Sequence, residues 1–161
     1  MQIDAKKLVL GTAQLGSDYG IANLIGQPNQ QTALSILSLA WEYGVRQFDT
    51  APVYGTEALL GTFVQAHGIA RDIKILTKIP RIIDNLKFRD EINRGIEGSL
   101  DRLGCPIETL FFHNADDSTL LLEYPDYFDQ LIADTEVGRL GVSVYEPNQI
   151  YDLNSLKKNL A

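Results

Sequence analysis

The sequence predicts an α/β protein of parallel (β/α) units, a half-barrel-like part of an eight-stranded (TIM) barrel with about five strands. Three observations carry this reading. Short β-branched and apolar runs alternate with longer amphipathic stretches along the whole chain. Glycine or proline punctuates the units. Polar residues able to do chemistry stand at the ends of successive apolar runs, as a barrel rim requires.

The run LVLGTAQ (8–14) reads as the first strand, followed by a long turn-rich loop, SDYGIANLIGQPNQ. TALSILSLAWEYG (32–44) places Leu34, Leu37, Ala40 and Trp41 at helical spacing, with Gly44 as the stop. VRQFDTA (45–51) is the second strand and EALLGTFVQAHG (57–68) the second helix, closed by Gly68. IKILTKI (73–79) is the third strand, bounded by Pro80. In FRDEINRGIEGSLDRLG (88–104), Ile92, Ile96, Leu100 and Leu103 share a face, and Gly104 caps the helix. ETLFFHN (108–114) is the fourth strand. Asp116, Asp117, Ser118 and Thr119 then offer N-caps for a helix to about Thr135, interrupted or kinked at Pro125. RLGVSVY (139–145) is the fifth strand, and Pro147 opens a fifth helix in EPNQIYDLNSLKKNLA.

Right-handed crossovers between parallel strands leave two architectures open. A doubly wound, flavodoxin-like sheet is complete with five strands, and a length of 161 residues favours it. The consecutive placement of polar strand ends favours a partial barrel, whose open edges would be completed by oligomerisation. The expectation is a single domain over 1–161.

Composition narrows the function classes. The net charge of -7 and pI near 4.7 argue against a nucleic-acid or anionic-membrane surface. No apolar run approaches the ~18 residues of a membrane span, and MQIDAKK lacks the apolar centre of a secretory signal. Cys105 stands alone, so no disulfide or thiolate metal cluster is expected, and cytoplasmic residence is the default. Cys105 reads as a packing thiol, His67 as a helix-end residue, Asp116 and Asp117 as caps, and Trp41 as core. No metal site is expected.

The chemistry concentrates in Asp49 and Tyr54 of QFDTAPVYG, Lys78 of IKILTK and His113 of TLFFHN. Each ends, or closely follows, an apolar run. A carboxylate, phenol, ammonium and imidazole on one rim form a proton-donating site for a carbonyl.

In LVLGTAQLG, FDTAPVYG, ILTK, GIEGSLDRLG, FFHN and GRLGVSVY the chain resembles the N-terminal part of an aldo-keto reductase. The resemblance covers essentially the whole chain, in order. It implies that Tyr54 is the general acid, that Lys78 lowers the phenol's pKa, that Asp49 holds Lys78, and that His113 orients the carbonyl. It further implies NADPH, or NADH, as cofactor, with Gly11, Thr12, Asp49 and Ser143 near it. Val144 stands where the family often has Asn, and no GxGxxG or P-loop is present. The family's later strands and loops, which finish the cofactor and substrate sites, have no counterpart after residue 145. The expectation is therefore an oxidoreductase site of weak or absent activity in this short chain, acting on a small-molecule carbonyl, in a homo-oligomer. The alternative is a non-catalytic half-barrel serving as an oligomerisation or binding module. The loop containing Asp18, Tyr19 and Asn23 is a candidate wall of the substrate pocket.

Overall fold

The computed structural model describes residues 4–21 and 23–149. Strands β1 (Val9–Gly11), β2 (Gln47–Asp49), β3 (Lys74–Ile79), β4 (Ile107–Phe112) and β5 (Leu140–Val142) form one sheet in the order β1-β2-β3-β4-β5. Every neighbouring pair is parallel. This sequential order removes the doubly wound alternative, which needs a reversal of strand order.

Side-chain alternation gives the sheet two unlike faces. Phe48, Ile75, Thr77, Ile79, Leu110 and Phe112 point one way and are all buried. They pack beneath helices α2 (Gln30–Glu42), α3 (Glu57–His67), α4 (Phe88–Leu103) and α6 (Pro125–Asp134), which contribute Leu37, Leu60, Phe63, Ile92, Ile96, Phe128 and Leu131 to the same core. The other face holds Val9, Gly11, Gln47, Asp49, Leu76, Phe111 and Gly141, exposed or half-buried, together with the buried polar residues Lys78 and Thr109. Among the described residues helices cover one face only, as in the wall of a barrel.

Several elements differ from the sequence reading. β1 stops at Gly11, and Ala13–Gly16 turns into a short helix, α1, where the strand was expected to run on. Gly16 makes that turn fit, because a Cβ there would overlap the backbone carbonyl of Tyr54. α2 begins at Gln30 because Asn29 caps it, its side chain accepting from Thr32 N at 2.9 Å. The helix expected from Asp116 to Thr135 is three pieces: a 3₁₀ turn (Ala115–Thr119), α5 (Leu120–Glu123) and α6. Pro125 opens α6 at its first position, where a missing N–H costs nothing. Of the fifth helix, residues 147–149 are helical, and the remainder lies outside the described residues. Among the described residues no helix is long and apolar enough to cross a membrane.

Two glycines in the outer layer predict opposite signs for one substitution. A Cβ at Gly61 of α3 would overlap the carbonyl oxygen of Arg102, so the two helices meet only because that side chain is absent. A Cβ at Gly95 of α4 meets nothing within 4 Å. Gly61→Ala is expected to destabilise by about 1–3 kcal/mol through overpacking. Gly95→Ala is expected to stabilise by about 0.5–1 kcal/mol through helix propensity. Urea denaturation midpoints of the two variants check both signs.

Candidate active site

The rim residues share a face by register. Gly11 lies beside Asp49, and Asp49 beside Leu76, two residues before Lys78 on the same side of β3. Lys78 lies beside Phe111, and Phe111 beside Gly141. Continuing the alternation by one step carries His113 and Ser143 to that face too. His113 N donates to Ile79 O at 3.2 Å, and Ser143 N to Phe112 O at 2.9 Å, so both follow their strands in register.

Lys78 is only 7 % exposed, and a buried ammonium must be paired. Its Nζ donates to Asp49 Oδ1 and Oδ2, each at 2.8 Å, and to Thr50 O at 2.9 Å. These three bonds match its three N–H groups. Tyr54 reaches the ammonium differently. It ends a 3₁₀ turn, Pro52–Tyr54, closed by Gly55 at φ 71°. The turn brings the phenol ring under Lys78 Nζ, 4.8 Å from its centroid, a cation–π contact. His113 packs edge-on to the same ring, centroids 6.1 Å apart at 86°. Asp49, Tyr54, Lys78 and His113 therefore form one cluster.

Electrostatics follow from this arrangement. The Tyr54 phenol titrates above its ordinary 10.0, first because of burial, then because of the Asp49 carboxylate and Tyr19. The expected lowering by Lys78 does not occur. Asp49 neutralises the ammonium, whose donors are already committed, so desolvation wins. His113 titrates below its ordinary 6.5, first through burial and then through the Lys78 charge, with Asp49 partly opposing.

The residues expected near a cofactor separate into two groups. Gly11 and Ser143 stand on the rim face. Thr12 is fully buried: its hydroxyl donates to Asp49 O at 2.9 Å and contacts Thr56 Oγ1 at 2.8 Å. It is a strut behind the site and has no surface to offer a ligand. Thr50 Oγ1 joins the same Thr56 hydroxyl at 2.7 Å. Glu57, next along the chain, is 1 % exposed and accepts from Thr77 Oγ1 at 2.7 Å and Arg102 Nε at 2.8 Å. The sequence reading missed Thr50, Thr56 and Glu57; the available signal was a hydroxyl or carboxylate beside each strand end or helix start. Cys105 is buried, and its thiol is pushed up to about 11, which keeps it inert. A cavity of about 630 Å³ lined by Gly61, Arg71, Arg102 and Gly104 lies at the C-terminal ends of α3 and α4, away from the rim.

Comparison with known proteins gives the chain a family and a fold. The Aldo/keto reductase family matches residues 7–161. An aldo-keto reductase of Mycolicibacterium paratuberculosis is 32% identical over 144 residues, covering 87% of this chain and 45% of the relative. Oxidoreductase sirO of Leptosphaeria maculans is 26% identical over 161 residues, 97% of this chain and 48% of that protein. Among solved structures, an aldo/keto reductase from Brucella melitensis superposes with TM-score 0.62 at 26% identity, over 94% of this chain and 53% of that one. A glycerol dehydrogenase from Gluconobacter oxydans does so with TM-score 0.66 at 25% identity, over 95% and 48%. The chain spans about half the length of the curated relatives it matches.

The cluster predicts opposite responses of His113 to its two charged neighbours. Its NMR titration midpoint is expected below 6.5, to rise in Lys78→Met and to fall further in Asp49→Asn. His67 is the other histidine of the chain, so a His67→Gln background assigns the signal. A folded-state pKa below the unfolded value means the unfolded chain binds more protons between the two. This group's stability penalty is therefore absent above about pH 6.5, grows as pH falls from there toward the folded pKa, and is complete below it.

Proposed function

The chain belongs to the aldo/keto reductase family, and from that premise we propose that its rim interconverts a carbonyl and an alcohol with NADPH or NADH. The observation that carries the reading is the Asp49–Lys78 clamp with Tyr54 and His113 packed against it. Members of the family are in general NAD(P)H-dependent oxidoreductases.

The described residues suit the nicotinamide end of such a cofactor. Gly11 leaves open space on the rim, with nothing within 4 Å of where a Cβ would be, and Ser143 shares that face. When bound, the reduced nicotinamide supplies a hydride to the carbonyl carbon. Tyr54 donates the proton to the carbonyl oxygen, its phenol being protonated at neutral pH. As the proton leaves, phenolate charge develops beside Lys78 Nζ, which stabilises it across the ring face. His113, neutral because of its lowered pKa, can donate one N–H to the same oxygen and orient it. Asp49 holds Lys78 throughout. The 161-residue chain by itself is proposed to grip the dinucleotide weakly, since its sequence holds no GxGxxG or P-loop.

Self-association and a cytoplasmic setting belong to the same reading. Leu8, just before the edge strand, and Val9 within it are 47% and 46% exposed, and Ile36 and Leu39 of α2, with Tyr43 just past its end, are exposed too. A second copy of the chain is proposed to cover them. Light scattering behind size-exclusion chromatography is expected to show a dimer that Val9→Lys disperses; a monomer at all concentrations refutes it.

Fluorescence titration with NADPH, followed by turnover of a reactive aldehyde, tests the chemistry. Saturable binding and measurable reduction are expected. Tyr54→Phe is expected to lower kcat by about 10²–10⁴-fold, the usual contribution of a general acid, with cofactor affinity unchanged. No binding at millimolar NADPH would favour the non-catalytic binding module.

A further inference from the structure

We propose that Glu57 is a positioning residue: through Thr77, its carboxylate sets the distance at which Tyr54 faces Lys78. The consequence for proton delivery rests on the function proposed above. The geometric claim does not.

A carboxylate only 1 % exposed is retained only with partners, and Glu57 divides its two oxygens between different elements. Oε2 accepts from Arg102 of α4, Nε at 2.8 Å and Nη2 at 2.7 Å. Oε1 accepts from Thr77 Oγ1 of β3 at 2.7 Å. The first contact ties helix to helix at a side chain that is 43% exposed on the arginine side. The second ties the start of α3 to the strand residue adjacent to Lys78.

Both active groups lie one short step from that second bond. Tyr54 precedes Glu57 by a single tight turn, in which Gly55 has φ 71° and the Thr56 hydroxyl is locked against Thr12 and Thr50. Lys78 follows Thr77 directly and points to the opposite face of β3. Displacing Thr77 from Glu57 therefore moves the ammonium relative to the ring. Other bonds between these segments, Thr50 N to Leu76 O at 2.8 Å and Lys78 Nζ to Thr50 O at 2.9 Å and to both Asp49 carboxylate oxygens at 2.8 Å, fasten the chain upstream of Tyr54. Among the described residues, Glu57–Thr77 is the side-chain bond that fastens it downstream.

The experiment separates the two oxygens. Thr77→Val removes the donor at nearly constant volume, Thr77→Ser restores it, and Arg102→Met removes the helix contact alone. The primary readout is the NMR shift of the Lys78 ε-methylene, which is expected to be displaced upfield by the Tyr54 ring because the adjacent Nζ lies 4.8 Å over its centroid. The displacement is expected to persist in Thr77→Ser and Arg102→Met and to be largely lost in Thr77→Val. With an aldehyde and NADPH, kcat of Thr77→Val is expected to fall about 10- to 100-fold at unchanged KM, and Thr77→Ser to recover it. If Thr77→Val does not fold, Glu57→Gln keeps an acceptor and should retain the shift, whereas Glu57→Met should lose it. An unchanged Lys78 shift in Thr77→Val, or in Glu57→Met where that replaces it, overturns the proposal. An equal loss in Arg102→Met does so too. A wild-type chain without turnover counts against the reductase reading, while the Lys78 shift still decides the role of Glu57.

Discussion

A lysine on the inner face of a parallel strand is the constraint from which the site follows. Lys78 is almost buried, and an unpaired ammonium there would cost several kcal/mol of desolvation. Asp49, one strand away, returns that cost through two oxygens at 2.8 Å, and the Thr50 carbonyl takes the third N–H. The pair thereby fixes how the tips of β2 and β3 sit against each other. It also fixes how Tyr54 can approach, because only the face of the charge remains open to the phenol. The ring takes that face at 4.8 Å, and the hydroxyl stays a neutral donor.

Behind the rim, polar side chains do work that apolar packing cannot. A core of Phe48, Phe63 and Phe112 holds helices to sheet but tolerates small slides. The hydroxyls of Thr12, Thr50 and Thr56, together with the carboxylate of Glu57, demand particular partners at particular distances. They surround the turn that carries Tyr54 on both sides. Gly16 and Gly61 allow the close backbone approaches that this arrangement needs. The rim thus stands on a second, buried polar layer.

Much of this was legible in the sequence, for physical reasons. Strands such as KILTKI and helices such as FRDEINRGIEGSLDRL announce themselves through period and caps, and both appear in the structure within a residue or two. The rim residues were legible because a charged or aromatic polar group after an apolar run has few places to go. Other features were not legible. The bend at Ala13 depends on Gly16 meeting Tyr54 across the fold, and nothing local signals it. Pro125 reads equally as a kink or a start, and the tertiary packing of Phe128 and Leu131 makes it a start. The family resemblance implied a place near the cofactor for Thr12, whose hydroxyl faces inward to Thr56. The direction of the Tyr54 shift depended on whether Lys78 had a free donor, which only coordinates can answer.

The site depends on the phenol of Tyr54 being a neutral donor beside a fully committed ammonium. ¹³Cζ-tyrosine NMR across the alkaline range measures this directly, with Tyr54→Phe assigning the signal among the 7 tyrosines. A midpoint above 10.0 in the wild type, falling in Asp49→Asn as Lys78 is released, is the predicted result. A wild-type midpoint below 10.0 would mean that the ammonium already serves the phenolate, and would contradict the arrangement described.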